Sequence, residues 1–350
     1  MARSFLDLFE NRPIIIAEAG VNHNGNLQMA RKLIEAAAAA KADIIKFQTF
    51  KAYECTGRFA PTAGYQQQTA AADQYELLVG LELPFADFGD LKDYAESCGL
   101  GFLSTPDGQQ SLDLLCGIGT VAIKVASGEL TNLPFLASIG SKKFPVILST
   151  GMGTLGEVQK AIETLKDTGA DEIILLHCTT EYPAPADETN LRAIANMKQA
   201  FGLPVGFSDH TSGNEAAIAA TALGAVVIEK HLTLDRSLPG PDHAASMEPR
   251  EFAAMVAAVR KTATMLGTGI KIASPSERAN RALVRRGLVA AVDLKAGQIT
   301  SGRNLAIKRP ATGISPELLP QALNRRLLKD IAADEPLTWQ HLGEVVSFEP

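Results

Sequence analysis

Short apolar runs recur along the first 232 residues, and each gives way to a polar or charged cluster. Ile14 to Ala17 leads into Glu18, Ile44-Ile45 into Lys46-Phe47-Gln48, Phe102-Leu103 into Ser104-Thr105-Pro106, and Val121 to Ile123 into Lys124 and then Ser127-Gly128-Glu129. Val146 to Leu148 leads into Ser149-Thr150-Gly151, Ile173 to Leu176 into His177, Val205 to Phe207 into Ser208-Asp209-His210, and Val226 to Ile228 into Glu229-Lys230-His231. Segments with the length and apolar period of helices separate the runs. Parallel strands buried on both faces read as continuous apolar runs. Strand–helix alternation repeated eight times predicts an α/β fold, a (β/α)8 TIM barrel, with its reactive groups at the C-terminal strand ends.

The spacing predicts a first helix over 27–41, capped by Asn26, with Leu27, Ala30, Leu33, Ile34 and Ala37 on one face. Further helices are predicted near 85–98, 110–116, 133–139, 155–168, 191–200, 214–222 and 250–266. Residues 51–83 read as a long loop leaving strand two, with Pro61, Gly64 and the polar tract 66–74. Loops of that length inside compact domains are usually functional, so this one is expected to cover the barrel mouth. Composition changes after residue 266: Gly267-Thr268-Gly269 and Ser274-Pro275-Ser276 punctuate the chain, and an arginine-rich stretch follows. A β-like region comes next, with strands near 288–292 and 305–308 and a turn over 293–297. The organisation predicted is a barrel over 1–275, a linker over 276–284 and a small domain over 285–350.

A formal charge of −6 gives no electrostatic reason to expect nucleic acid or an anionic membrane as partner. No apolar run approaches the roughly 20 residues that span a bilayer. The first residues carry an acid and lack the apolar core of a signal peptide. Cys55, Cys98, Cys116 and Cys178 show no CxxC spacing and read as free thiols in a reducing cytoplasm.

His210 and His231 end strands seven and eight, neighbours in a barrel. Two imidazoles at one mouth suit a divalent ion with open positions, or two structural histidines. His23 lies in an Asn22-His23-Asn24-Gly25 turn that it can simply shape; His177 is a ligand or a hydrogen-bonder, and His243 and His341 read as surface residues. Lys46 and Lys124 end strands two and four, where an ammonium is costly to desolvate unless it meets an anion. With Ser127, Ser149, Thr150 and Gly151 they suit a phosphate or carboxylate. A Schiff base on one lysine, or plain ion pairs to Glu18 or Glu129, are the other readings. Glu18 is a general base, a water-orienting group or simply the partner of Lys46. Asp242, in Pro239-Gly240-Pro241-Asp242, holds a polyhydroxy substrate or closes a turn.

Taken in order, these segments resemble the sialic acid synthase family of nonulosonate synthases. The matching stretches include Glu18-Ala19-Gly20-Val21-Asn22-His23-Asn24-Gly25, Lys46-Phe47-Gln48-Thr49, Ser104-Thr105-Pro106, Lys124-Val125-Ala126-Ser127-Gly128-Glu129, Ser149-Thr150-Gly151-Met152, His177-Cys178-Thr179-Thr180-Glu181-Tyr182-Pro183, Ser208-Asp209-His210, Glu229-Lys230-His231 and Pro239-Gly240-Pro241-Asp242. The likeness continues through Val284-Arg285-Arg286, Asn304 to Pro310 and Gly313-Ile314-Ser315. The resemblance implies a barrel followed by an antifreeze-like (SAF) domain, in a domain-swapped homodimer. It implies a condensation of phosphoenolpyruvate, an open-chain N-acetylmannosamine-type sugar and water, with phosphate lost by C–O cleavage. By the same resemblance His210 and His231 hold Mn²⁺ or Mg²⁺, and Lys46, Lys124, Thr105, Ser127 and Ser149 hold phosphoenolpyruvate. Glu18 orients water, Glu229, Tyr182 and Asp242 hold the sugar, and Arg309 reaches its N-acetyl group from the other subunit.

Two positions depart from the family pattern. Thr180 stands where the family often has Asn, and Gln68 and Thr69 stand where an Asn is expected before Tyr75. Both concern the sugar and leave open whether it is N-acetylmannosamine, giving N-acetylneuraminate and taken as the main reading, or a 2,4-diacetamido-6-deoxy relative, giving N,N′-diacetyllegionaminate, as the alternative. A Schiff-base barrel aldolase and a non-catalytic binding module are the readings from other classes.

Overall fold

The structure, a computed structural model, describes residues 5–9, 12–57, 60 and 73–347. Its contacts divide the chain into two compact units, Met1–Gly267 and Thr268–Pro350.

In the first unit eight parallel strands close into a barrel in chain order. They are β1 (Ile14–Gly20), β2 (Ile44–Thr49), β3 (Gly101–Pro106), β4 (Ile123–Val125), β5 (Val146–Ser149), β6 (Ile173–His177), β7 (Val205–Asp209) and β8 (Val227–His231). The apolar runs continue into the polar clusters instead of stopping before them, because successive side chains point to opposite faces. On β1, Ile15, Ala17 and Ala19 pack outward into the layer between strands and helices. Ile14 and Ile16 point inward, with Ile44, Leu103, Ile147, Ile174, Leu176 and Val227, and Phe5 packs into the same inner cluster. The next inward position along β1 is Glu18. Apolar residues therefore fill the axis up to the last inward layer, and polar residues take over at the C-terminal end.

The expected helices are present with small shifts, and 155–168 matches the observed Leu155–Thr168, which Thr154 and Glu157 close with a reciprocal capping box. Asn26 caps Leu27–Ala39 by accepting from Met29 N at 3.0 Å. Two expectations need correction. Strand four starts at Ile123 and not at Val121. Residues 51–83 are not one long loop: Ala52–Cys55 and Gln74–Leu81 are helical, and Leu77 and Leu81 pack on Val21 and Phe50. Pro61, Gly64, Gln68 and Thr69 lie outside the described residues, so the lid and its departures are not placed.

The second unit opens with a helix, Pro275–Val284, over the stretch expected as a linker. Two antiparallel pairs follow, β9 (Gly287–Ala290) with β10 (Leu305–Lys308) and β11 (Arg325–Leu327) with β12 (Leu342–Val345), around Leu288, Leu294, Leu305, Leu327, Ile331 and Leu337. Among the described residues no helix is long and apolar enough to cross a membrane.

Candidate active site

Strand register brings the polar ends together. Glu18 lies opposite Lys46 on one side and His231 on the other, and Ser208 lies opposite Glu229. These groups line a cavity of about 170 Å³ at the C-terminal mouth, along with Thr105, Lys124, Ser127, Ser149, Tyr182 and His210. Ten of the twelve predicted site residues therefore converge on one space.

Lys46 forms a close ion pair with Glu18, lies 3.6 Å from Glu229 Oε1, and donates to Thr105 Oγ1 at 3.3 Å. Lys124 donates to Ser149 Oγ at 2.6 Å and lies 3.9 Å from Glu229 Oε1. The pairing of Lys46 with Glu18 foreseen for these residues is thus real; the Lys–Glu129 pair is not, and Glu129 instead accepts from Asn132 Nδ2 at 2.6 Å. Burial pushes Glu18 up to about 8 despite Lys46. Glu229 is buried as deeply, yet Lys124, Lys46 and the Ser208 hydroxyl at 2.8 Å bring it down to about 2. Lys124 is lowered by burial, while carboxylates raise Lys46 in spite of burial. Glu229 therefore stays ionised near neutral pH while Glu18 is largely protonated, so the two lysines face one carboxylate and not two.

The histidines stand on the other side, ring centroids 5.8 Å apart. His210 Nδ1 donates to the Thr179 carbonyl at 2.6 Å, so the proton of the neutral ring is on Nδ1 and Nε2 keeps its lone pair. Burial lowers His210 to about 4 and His231 well below its ordinary value, so both rings are neutral. His231 Nδ1 is buried without a hydrogen-bond partner, 3.9 Å from Asp242 Oδ2. Tyr182 stacks on His210 at 4.2 Å between centroids. Two neutral imidazoles, one with an orphaned nitrogen, fit a divalent ion that draws its other ligands from substrate or water. Among the described residues no cluster of three or more His, Cys, Asp or Glu side chains is arranged to hold one alone.

Asp242 reaches the rim because Gly20 has no side chain. A Cβ there would stand 3.0 Å from Glu18 Oε1 and 3.3 Å from Asp242 Oδ2, and the backbone is left-handed at φ +50°. Burial raises Asp242 to about 6.

Comparison with known proteins now decides the family. Residues 33–271 match the NeuB family model and 285–343 match the SAF domain. The chain belongs to the NeuB family. It is an enzyme of this group of nonulosonic acid synthases, built as a TIM barrel followed by a SAF domain. It is 48% identical to the N,N′-diacetyllegionaminic acid synthase of Campylobacter jejuni, over 93% of this chain and 98% of that one. It is 45% identical to the enzyme of the same name from Legionella pneumophila, over 94% of each. The solved N-acetylneuraminic acid synthetase of Leptospira borgpetersenii, in complex with citrate, is 35% identical and superposes with a TM-score of 0.69, covering 77% of this chain and 90% of that one.

Other expected residues fall elsewhere. His177 points away from the cavity and bonds the Thr189 carbonyl at 2.8 Å. His243 is buried, not at the surface, and its Nδ1 pairs with Thr233 Oγ1 at 2.7 Å. Arg309 is exposed just after β10 in the SAF domain. Sequence reasoning missed Gln48, Asp107, Cys178 and Ser208, all of which line the cavity. Strand parity would have found them: each lies two residues from an inward-facing position, Lys46, Thr105, Leu176 and His210 in turn.

Proposed function

We propose that this enzyme condenses phosphoenolpyruvate, open-chain 2,4-diacetamido-2,4,6-trideoxymannose and water to N,N′-diacetyllegionaminate and phosphate. The carrying observation is the near full-length identity of 48% and 45% to two N,N′-diacetyllegionaminic acid synthases, against 35% to the Leptospira N-acetylneuraminic acid synthetase. It favours the second of the two sugars, and N-acetylmannosamine becomes the alternative.

The cavity supports the chemistry. Lys46 with Thr105 and Lys124 with Ser149 offer two cationic positions for the anionic ends of phosphoenolpyruvate, and Ser127 lies beside them. A bound Mn²⁺ or Mg²⁺, held by His210 and His231, supplies Lewis-acid polarisation of the sugar aldehyde. The methylene carbon of phosphoenolpyruvate bonds to the aldehyde carbon, and the aldehyde oxygen becomes a hydroxyl by taking the proton that Glu18 carries near neutral pH. Positive charge develops at the enol carbon, and Glu229, held ionised, stabilises it. Glu18, ionised by that transfer, orients water and takes a proton back as the water oxygen bonds that carbon. The C–O bond to phosphate then breaks, leaving the keto acid and inorganic phosphate. Tyr182 and Asp242 hold the sugar.

We further assign a homodimer in which Arg309 of one subunit meets the sugar's N-acetyl group at the other's barrel. Ile270, Ile272 and Leu283, all about two-thirds exposed, support a second chain over this region. Four unpaired cysteines support a cytoplasmic setting.

One observation favours a Schiff-base aldolase instead: burial lowers Lys124, the direction an amine nucleophile needs. Two measurements separate the readings. Phosphate release with Mn²⁺ is expected with the diacetamido sugar at a kcat/KM at least about tenfold above that with N-acetylmannosamine, a difference of about 1.4 kcal/mol. Borohydride with pyruvate is expected to leave the protein mass unchanged. Release with neither sugar, or a trapped adduct on Lys124, overturns the proposal, and a preference for N-acetylmannosamine moves the product to N-acetylneuraminate.

A further inference from the structure

His231 and Asp242 come from different segments, and one buried amide reaches the backbone of both. Asn22 follows β1 and is buried. Its Nδ2 donates to the Leu232 carbonyl at 2.9 Å and to Ser246 Oγ at 2.9 Å. Leu232 is the residue after His231, and its own N–H donates to the Glu18 carbonyl at 2.8 Å. Ser246 is buried too, and its hydroxyl donates onward to the Asp242 carbonyl at 2.6 Å. The Leu232 carbonyl can only accept, so it fixes which end of the amide faces it. Both Nδ2 hydrogens are thereby used, one on each segment. Asn24 holds another part of the same loop, donating to the Pro239 carbonyl at 2.7 Å.

We propose that Asn22 is a positioning residue that sets the end of β8 bearing His231 against the loop bearing Asp242, acting through Leu232 and Ser246. This rests on the synthase reading above, in which His231 binds a divalent ion and Asp242 the sugar. The spacing to be set is narrow. Asp242 Oδ2 lies 3.9 Å from His231 Nδ1, and a shift of about 1 Å would bring it to hydrogen-bond length and turn the carboxylate from the sugar to the imidazole. His231 Nδ1 has no hydrogen-bond partner, so no bond between the two side chains fixes their separation. The backbones that carry them must fix it, and Asn22 is bonded to both. Asn22 itself does not line the cavity, so its influence passes through these two bonds. Lys46 and Lys124, the cations for phosphoenolpyruvate, are grouped instead with Thr105 and Ser149, outside this network.

The test is Asn22→Ala beside Ser246→Ala. In Asn22→Ala, Mn²⁺ titrated calorimetrically into the ligand-free protein should bind about tenfold more weakly, and KM for the preferred sugar should rise by about as much. Ser246→Ala cuts only the arm to Asp242, so KM for the sugar should rise at least about threefold while Mn²⁺ affinity stays within about twofold of the parent's. KM for phosphoenolpyruvate should stay within about twofold in both variants. A residue that merely stitches two loops together would lower the melting temperature without this division between ligands. A lowered melting temperature with Mn²⁺ affinity and sugar KM unchanged in Asn22→Ala therefore overturns the inference while leaving the synthase reading intact. A rise in KM shared equally by sugar and phosphoenolpyruvate does the same. If Asn22→Ala does not fold, Ser246→Ala decides: an unchanged sugar KM overturns the inference. A parent protein that neither binds Mn²⁺ nor turns over either sugar overturns both.

Discussion

His23 is 1% exposed in the turn after β1, where its Nδ1 accepts the Gly25 N–H at 3.1 Å. Burial, aided by nearby His243, lowers it from 6.5 to about 4. For a base with a lowered folded pKa, the unfolded chain takes up a proton first as pH falls. Stability is therefore complete above pH 6.5 and is lost as pH falls from there toward 4, by about 3 kcal/mol from this residue. His23→Gln should be less stable at pH 7 yet lose about that much less between pH 7 and 4, in denaturant titrations run in parallel. Parallel losses in the two proteins would show that His23 is not the residue responsible. His177 is lowered too and remains in both proteins, so it cancels in the comparison. The residues most readable from sequence were those ending an inward row, such as Glu18, Lys46 and His231. Cys178 and Ser208 were passed over because a small polar side chain near a strand end looks like turn punctuation unless its parity is counted, and His243 was misplaced because nothing in Pro241-Asp242-His243 signals that the turn is buried.

At the scale of elements, β7 and β8 carry the two histidines, and a buried ion pair on their outer faces fixes their register. Asp209 and Lys230 are directly opposed, 0% and 2% exposed at the side chain, with Oδ2 and Nζ 2.9 Å apart. Lys230 also donates to the Thr211 carbonyl, and Asp209 Oδ1 accepts from Thr211 N at 2.9 Å and from its hydroxyl at 2.7 Å. The pair thereby ties down the turn that carries His210. Lys230→Met should cost about 3–5 kcal/mol by leaving Asp209 charged and unpaired in the interior, whereas Asp209→Asn with Lys230→Met should recover part of that loss. Chemical denaturation of the single and double variants measures the coupling; additive effects would refute it. The barrel was legible because eight runs share one pattern. The helices inside 51–83 were not, since Ala52–Cys55 is a single turn and the Gln74–Leu81 segment is apolar nearly all round. Likewise β11, Arg325-Arg326-Leu327, is too short and too charged to announce a strand; its pairing with β12 comes from tertiary packing.

At the scale of the whole molecule, the question is whether an active site draws on one chain or two. His231 belongs to the barrel and Arg309 to the SAF domain, so one inactivating change can be placed in each unit. His231→Ala removes half of the proposed ligand set for a divalent ion, and Arg309→Ala removes the proposed contact to the N-acetyl group. Each homodimer alone should turn over poorly. Co-expressing the two gives, at random pairing, about half heterodimers. If the SAF domain serves the other subunit's barrel, each heterodimer pairs one intact barrel with one intact Arg309 and regains one site of two, so the mixture recovers about a quarter of parental activity. If each chain serves itself, every site in the heterodimer keeps one defect and the mixture stays as inactive as its parents. Phosphate release from the mixed preparation, with mass spectrometry of the intact dimers to confirm pairing, reads the difference directly, because recovery by mixing two defective chains requires that they share a site.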